Sequence, residues 1–145
     1  MEELIKKDNI RANVIAEHWE DAIRKAGQLL IDNKKIEEDY INSMIDSVKE
    51  LGPYIVLSQG FALAHAAPNE TAVHEPCLSL VTLKKPIDFG SPNDPVKVVM
   101  CLACTDKATH VDLLSKVAKK LMKENIIDDA AKCTSSDELY HVIND

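Results

Sequence analysis

No window of this chain approaches 18 consecutive uncharged apolar residues, so no segment is expected to cross a membrane as a helix. The opening Met-Glu-Glu-Leu-Ile-Lys-Lys-Asp lacks the apolar centre of a secretory signal, and a cytoplasmic protein is expected. Positive charge is scarce as well: 17 Lys and Arg face 24 Asp and Glu, a net charge of −7, so contacts to a nucleic-acid backbone would work against general repulsion. Internal repeats, low-complexity tracts and shifts of composition are missing, and nothing marks a boundary within residues 1–145. Cys77, Cys101, Cys104 and Cys133 offer no second pair at zinc-ligand spacing, and their mostly apolar neighbours suit reduced core thiols better than a secreted disulfide frame. Asp88, Asp94, Asp128 and Asp129 lack the paired spacing of hydrolytic or Mg²⁺-binding carboxylates and read as solvated loop and helix-end charge.

What is present is an ordinary globular composition, 46% hydrophobic and 28% charged, in a length that fits one compact domain with a core needing no disulfides. Residues 1–18 show weak periodicity and read as a short helix or arm laid over the domain. Trp19, Ala22, Ile23, Ala26, Leu29 and Leu30 then recur at helical spacing, with Glu20, Asp21, Arg24, Lys25 and Gln28 on the other face. Asp32-Asn33-Lys34-Lys35 interrupts this helix. A second stripe follows at Ile41, Met44, Ile45 and Val48, with Glu37, Glu38 and Asp39 placed for its N-terminal dipole and Gly52-Pro53 as its stop.

From there the pattern becomes strand-like at 54–57, 61–63, 77–83, 87–89 and 96–104, with Pro86, Gly90, Pro92 and Pro95 separating the later runs. Helical period returns with Leu114, Val117, Ala118 and Leu121, for which Thr105 or Asp106 is the candidate N-cap. Ser135 and Glu138 have capping-box spacing before a short terminal helix through Leu139 and Val142. The expected fold class is α/β: a three-layer sandwich with a mixed sheet of about five strands and helices on both faces. In the 96–104 strand, Cys101 and Cys104 are three apart and should point to opposite faces as core residues, unable to meet on one metal.

The segment with most chemical promise runs from Tyr54 to Pro68. It delivers His65 at the end of an apolar strand between Ala64, Ala66 and Ala67, small neighbours that leave its ring open to a bulky partner. Imidazole has an ordinary pKa of ~6.5, so a neutral ring is available as a nucleophile near neutral pH. On the residues alone, a satisfied strand-end histidine is the commoner outcome. His110 opens the helix after strand 96–104, on the stripe of Leu114, Val117 and Leu121, so its ring should turn toward the sheet at the edge where open α/β sheets build their sites. A buried helix-start histidine is the plainer reading. His74 lies in the polar loop 69–76, where it could line the mouth of a site but where histidines are usually solvated; His18 and His141 carry no pattern.

Gly60-Phe61-Ala62-Leu63-Ala64-His65-Ala66 resembles the Gly-x-Ala-(Leu/Met)-Pro-His-(Ala/Gly) signature of the mannitol/fructose-class enzyme IIA domains of the bacterial sugar phosphotransferase system. Gly52-Pro53-Tyr54-Ile55-Val56, the run from Leu78 to Pro86, and Asn93-Asp94-Pro95-Val96-Lys97 are similar to the ascorbate-type branch, and the resemblance extends from about Trp19 to the C-terminus. It implies a type-2 enzyme IIA domain over 1–145, in which His65 accepts a phosphoryl group from the phosphocarrier HPr on its tele nitrogen. The group then passes to a cysteine of enzyme IIB, which serves the membrane enzyme IIC. His110, four residues after Asp106 as in the family, would help hold the phosphoryl group. No cofactor and no metal are implied, and a homodimer is compatible with the resemblance.

Backbone N–H groups around Ala66 and Ala67 are expected to supply further donors, and Phe61, Leu63, Ala66 and Ala67 to form an apolar docking rim. Two departures stand out. Lys49 replaces an arginine that mannitol-like relatives carry near the phosphate, and as a point charge without a bidentate fork it is left outside the site. Ala64 stands where the family usually has proline, so a looser strand end is expected. That departure keeps open a second role, a regulatory or interaction module whose phosphorylation state is a signal, although a chain this short without fused regulatory domains favours transport.

Overall fold

Two amphipathic helices form where their apolar stripes predict them. In the computed structural model, which describes residues 3–145, α1 spans Trp19–Asp32 and α2 spans Glu38–Leu51. Both bury the predicted stripe, Ala22, Ile23, Ala26 and Leu30 on α1 and Ile41, Met44 and Ile45 on α2, each large side chain contributing about 1.5–3 kcal/mol of transfer free energy. The helices approach closely at Gly27, where an added Cβ would lie 2.7 Å from Ile41 Cδ1. His18 caps α1, its Nδ1 accepting from Asp21 N–H at 3.2 Å, and Gly52 ends α2 at φ +87°, a left-handed conformation that an L side chain rarely adopts.

The sheet consists of β1 (Ile10–Val14), β2 (Val56–Ser58), β3 (Phe61–Ala64), β4 (Cys77–Ile87) and β5 (Val96–Ala103) in the order β1-β4-β5-β3-β2. It is mixed: β1 with β4 and β3 with β5 are parallel, whereas β4 with β5 and β2 with β3 are antiparallel. Alternation along the strands feeds two cores. Ala62, Ala64, Val81, Val99 and Cys101 face α1 and α2, while Phe61, Leu63, Leu80, Val98, Met100 and Leu102 face the other layer. That layer holds α3 (Lys107–Leu121), α4 (Ile126–Ala131) and α5 (Ser136–Asn144). Cys101 and Cys104 are fully buried in different cores, as the three-residue spacing predicts. Among the described residues no helix is long and apolar enough to cross a membrane.

The structure corrects the sequence reading in three places. Residues 7–14 form a 3-10 turn and the edge strand β1, where a short helix or arm is expected; within the strand Ile10 is buried and Ala12 and Val14 are partly buried against the core, too short a run to show a clear period. Pro86 lies within β4, where a break between two strands is expected. It is accommodated because the β4–β5 register shifts between Thr82 and Ile87, an irregularity that leaves no ladder donor to lose. Asp94 is more than solvated charge, since its carboxylate accepts from the N–H groups of Phe89, Gly90 and Ser91 at 2.8–2.9 Å and shapes the turn before β5.

Candidate functional site

The parallel strands β3 and β5 lie side by side with Ala64 opposite Cys101, so their carboxyl ends open at the same edge. His65 follows β3 directly. Past β5, Asp106 caps α3, its carboxylate accepting from Thr109 N–H at 2.8 Å, and this fixes the first turn that carries His110. The two imidazoles meet there, with ring centroids 5.7 Å apart and planes inclined at 54°.

Their nitrogens are in unlike states. His65 Nδ1 is 2.7 Å from the Leu63 carbonyl oxygen, and since a carbonyl only accepts, Nδ1 is the protonated nitrogen of the neutral ring. Nε2 therefore keeps its lone pair. His110 Nδ1 is buried with no hydrogen-bond partner among the described residues. Burial, and secondly the neighbouring His65, hold the His110 pKa below its ordinary value and keep the ring neutral.

Two tyrosines complete the arrangement. Tyr54 donates from its hydroxyl to the His65 carbonyl at 2.9 Å, and its ring stands edge-on to the imidazole at 5.3 Å and 87°. Partial burial raises its pKa, against a smaller lowering by a hydrogen bond with Ser47. Tyr40, fully buried on α2, has its hydroxyl 3.0 Å from Ala66 N and 3.1 Å from the carbonyl oxygens of Ala66 and Leu102. Burial pushes its pKa upward, so the phenol stays protonated.

Sequence reasoning brings His65 and His110 to the same place but misassigns their surroundings. The Ala66 N–H is taken by Tyr40, which leaves Ala67 as the backbone donor of that pair. Phe61 and Leu63 are fully buried and Ala66 is nearly so, so they form no rim. Of the four expected rim residues Ala67 is exposed; Tyr54, 37% exposed and edge-on to His65, adds apolar surface beside the ring, and Val111, which follows His110 in the chain, is 56% exposed. Lys49 pairs with Glu20 at 3.5 Å, and His74 meets the Glu37 carboxylate at 2.7 Å. Neither joins the rings. Tyr40 and Tyr54 escape sequence reading because their partners are backbone atoms 26 and 11 residues away. The one local signal is Tyr54 standing between the Gly52-Pro53 stop and an apolar strand.

Comparison with known proteins agrees with this fold. An ascorbate-specific PTS system EIIA component of Escherichia coli (strain K12) is 32% identical over 143 residues, covering 97% of this chain and 92% of its own length. The solution structure of the mannitol-specific cryptic phosphotransferase enzyme IIA CmtB from Escherichia coli superposes with a TM-score of 0.87 at 27% identity, covering 98% of each chain. The crystal structure of IIA mannitol from Escherichia coli gives 0.82 at 25% identity, covering 96% of this chain and 98% of the other. The likeness thus reaches past Trp19 to the residues of β1. Residues 3–145 match the family described as phosphoenolpyruvate-dependent sugar phosphotransferase system, EIIA 2, and the chain belongs to it.

Proposed function

We propose that the chain is a single type-2 enzyme IIA domain of the cytoplasm in which His65 Nε2 takes a phosphoryl group from phospho-HPr and hands it to a cysteine of an enzyme IIB. That partner serves enzyme IIC in carbohydrate uptake of the ascorbate type. The observation that carries this reading is the 2.7 Å contact of His65 Nδ1 with the Leu63 carbonyl, which holds the proton on one nitrogen and leaves the other as the nucleophile. Placement of His110, its ring 5.7 Å away, supports a role beside the transferred group.

In the first step the Nε2 lone pair forms a bond to phosphorus as the N–P bond of phospho-HPr breaks, its electron pair returning to the HPr histidine. In the second, a thiolate of enzyme IIB attacks phosphorus and the electrons of the His65 N–P bond return to Nε2. Charge in such transfer spreads over the equatorial phosphoryl oxygens, so the protein contributes position and donors. His110, kept neutral, offers its Nε2–H to one oxygen, and the Ala67 N–H offers a second donor.

Intact-mass spectrometry after incubation with phosphoenolpyruvate, enzyme I and HPr tests the reading. One acid-labile phosphoryl adduct is expected, dependent on HPr and discharged by an ascorbate-type enzyme IIB. An adduct that no enzyme IIB discharges would replace the transport role with a regulatory one. No adduct, with carriers active on another acceptor, would refute His65 as acceptor.

A further inference from the structure

The His65 C=O and the Ala66 N–H belong to one planar peptide unit, and a tyrosine hydroxyl holds each edge of it. Tyr54 donates to the oxygen at 2.9 Å, and the nitrogen donates to Tyr40 at 3.0 Å. A phenol has one proton to give, so Tyr40 passes its own to the carbonyl of Ala66 or of Leu102, each 3.1 Å away. Through Leu102 it reaches the end of β5, where α3 and His110 begin.

Tyr40 belongs to the buried face of α2 and Tyr54 to the link between α2 and β2. With its plane anchored to these two, the backbone at His65 is set relative to the α2 scaffold as well as to β3. The ψ of His65 and the φ of Ala66 are fixed together, and the Leu63 carbonyl fixes the ring. The peptide after His65 and the imidazole that carries Nε2 are thereby both held.

This arrangement bears on position 64. A proline there would stiffen the strand through its own φ and would remove an N–H. Leu63 N–H turns to the Ile55 carbonyl at 2.8 Å, so the next N–H, that of Ala64, turns the opposite way, to β5. Ala64 keeps a ladder donor and is fully buried.

We infer that Tyr40 and Tyr54 are positioning residues for phosphoryl transfer, a clamp on the 65–66 peptide that supplies the restraint a proline at position 64 would give. The inference rests on His65 being the phosphoryl acceptor. Neither hydroxyl touches the reacting nitrogen; both act by holding the histidine where in-line attack is available.

The test is Tyr54→Phe, which keeps the ring and removes only the hydroxyl of a residue 37% exposed. Transfer from phospho-HPr is expected to lose about fivefold or more in kcat, with KM for phospho-HPr within about twofold, because the loss falls on the aligned state and spares docking. The melting temperature should barely move, and the Ala66 amide should exchange faster with solvent. Tyr40→Phe, assayed below its own melting transition, should lose more kcat than Tyr54→Phe. Wild-type kcat in both variants, with the wild-type protein active, would overturn the clamp alone. A lowered melting temperature with unchanged kcat would overturn it too, as a merely structural role. A wild-type protein that takes no phosphoryl group from active phospho-HPr would instead remove the acceptor reading beneath it.

Discussion

The end of β3 and the end of β5 lie in register, Ala64 opposite Cys101, and each carries residues that invite chemistry. At β5 the Cys-x-x-Cys pair splits across the sheet: Cys101 faces α1 and α2, with its sulfur 3.6 Å from Met44 Sδ, and Cys104 faces the other core. Burial pushes both thiols above their ordinary pKa, the direction that suppresses the reactive thiolate. At β3 the histidine stands one residue beyond the ladder, partly exposed, with Nδ1 tied to the Leu63 carbonyl and Nε2 making no hydrogen bond among the described residues. The same strand geometry that hides a side chain within the ladder presents it one step later.

The comparison breaks most completely at His65→Ala. Phosphoryl acceptance should vanish in the mass assay while the melting temperature stays near that of the wild type, because the ring is only partly buried. His110→Ala should come next, slowing transfer by about 100–1,000-fold through loss of one donor to a phosphoryl oxygen.

His110 also gives the pH dependence its sign. Its folded pKa lies below the ordinary ~6.5. The stability from its neutral burial is therefore complete above that value. As pH falls toward the lower folded pKa the unfolded chain binds the proton first, and that stability is lost. Thermal unfolding of His110→Ala should accordingly weaken less than the wild type on acidification through this window. Phosphorylation of His65, which sets a negative group beside the ring, should raise the His110 pKa in an NMR titration.

A smaller effect, confined to stability, belongs to the other strand end. Cys101→Ser puts a hydroxyl in an apolar core and should cost about 1–3 kcal/mol in denaturant unfolding, with phosphoryl acceptance intact on the folded protein. A loss of acceptance there, with the fold retained, would dissolve the contrast. Smallest in its effect on rate, Ala64→Pro should alter transfer by less than about twofold, since the tyrosines already restrain the segment, while the lost ladder donor to β5 lowers the melting temperature.

Several of these features are legible in sequence because they rest on local patterns. The α1 and α2 stripes, the Asp106 cap and the Ser135–Glu138 pair are of this kind, and at the last Ser135 Oγ accepts from Glu138 N–H at 3.1 Å. Opposed faces for Cys101 and Cys104 follow from strand period alone. What escapes is set by partners distant in the chain. β1 reads as an arm because its five residues gain their identity from pairing with β4, some 70 positions onward. The α4 turn leaves too short a period to detect. At the site, the ring pair follows from the family signature, but the rim and the donors depend on which groups the fold has already used. Phe61 and Leu63 are spent on the core, and the Ala66 N–H is spent on Tyr40.

The central claim is that Nδ1 of His65 is held by the Leu63 carbonyl and Nε2 is the atom that reacts. Its most direct test is ¹⁵N NMR of the imidazole rings in the protein phosphorylated through HPr. Phosphorus coupling at Nε2 of His65, with Nδ1 still protonated, is the predicted result. Coupling at Nδ1, or on any other ring, would contradict it.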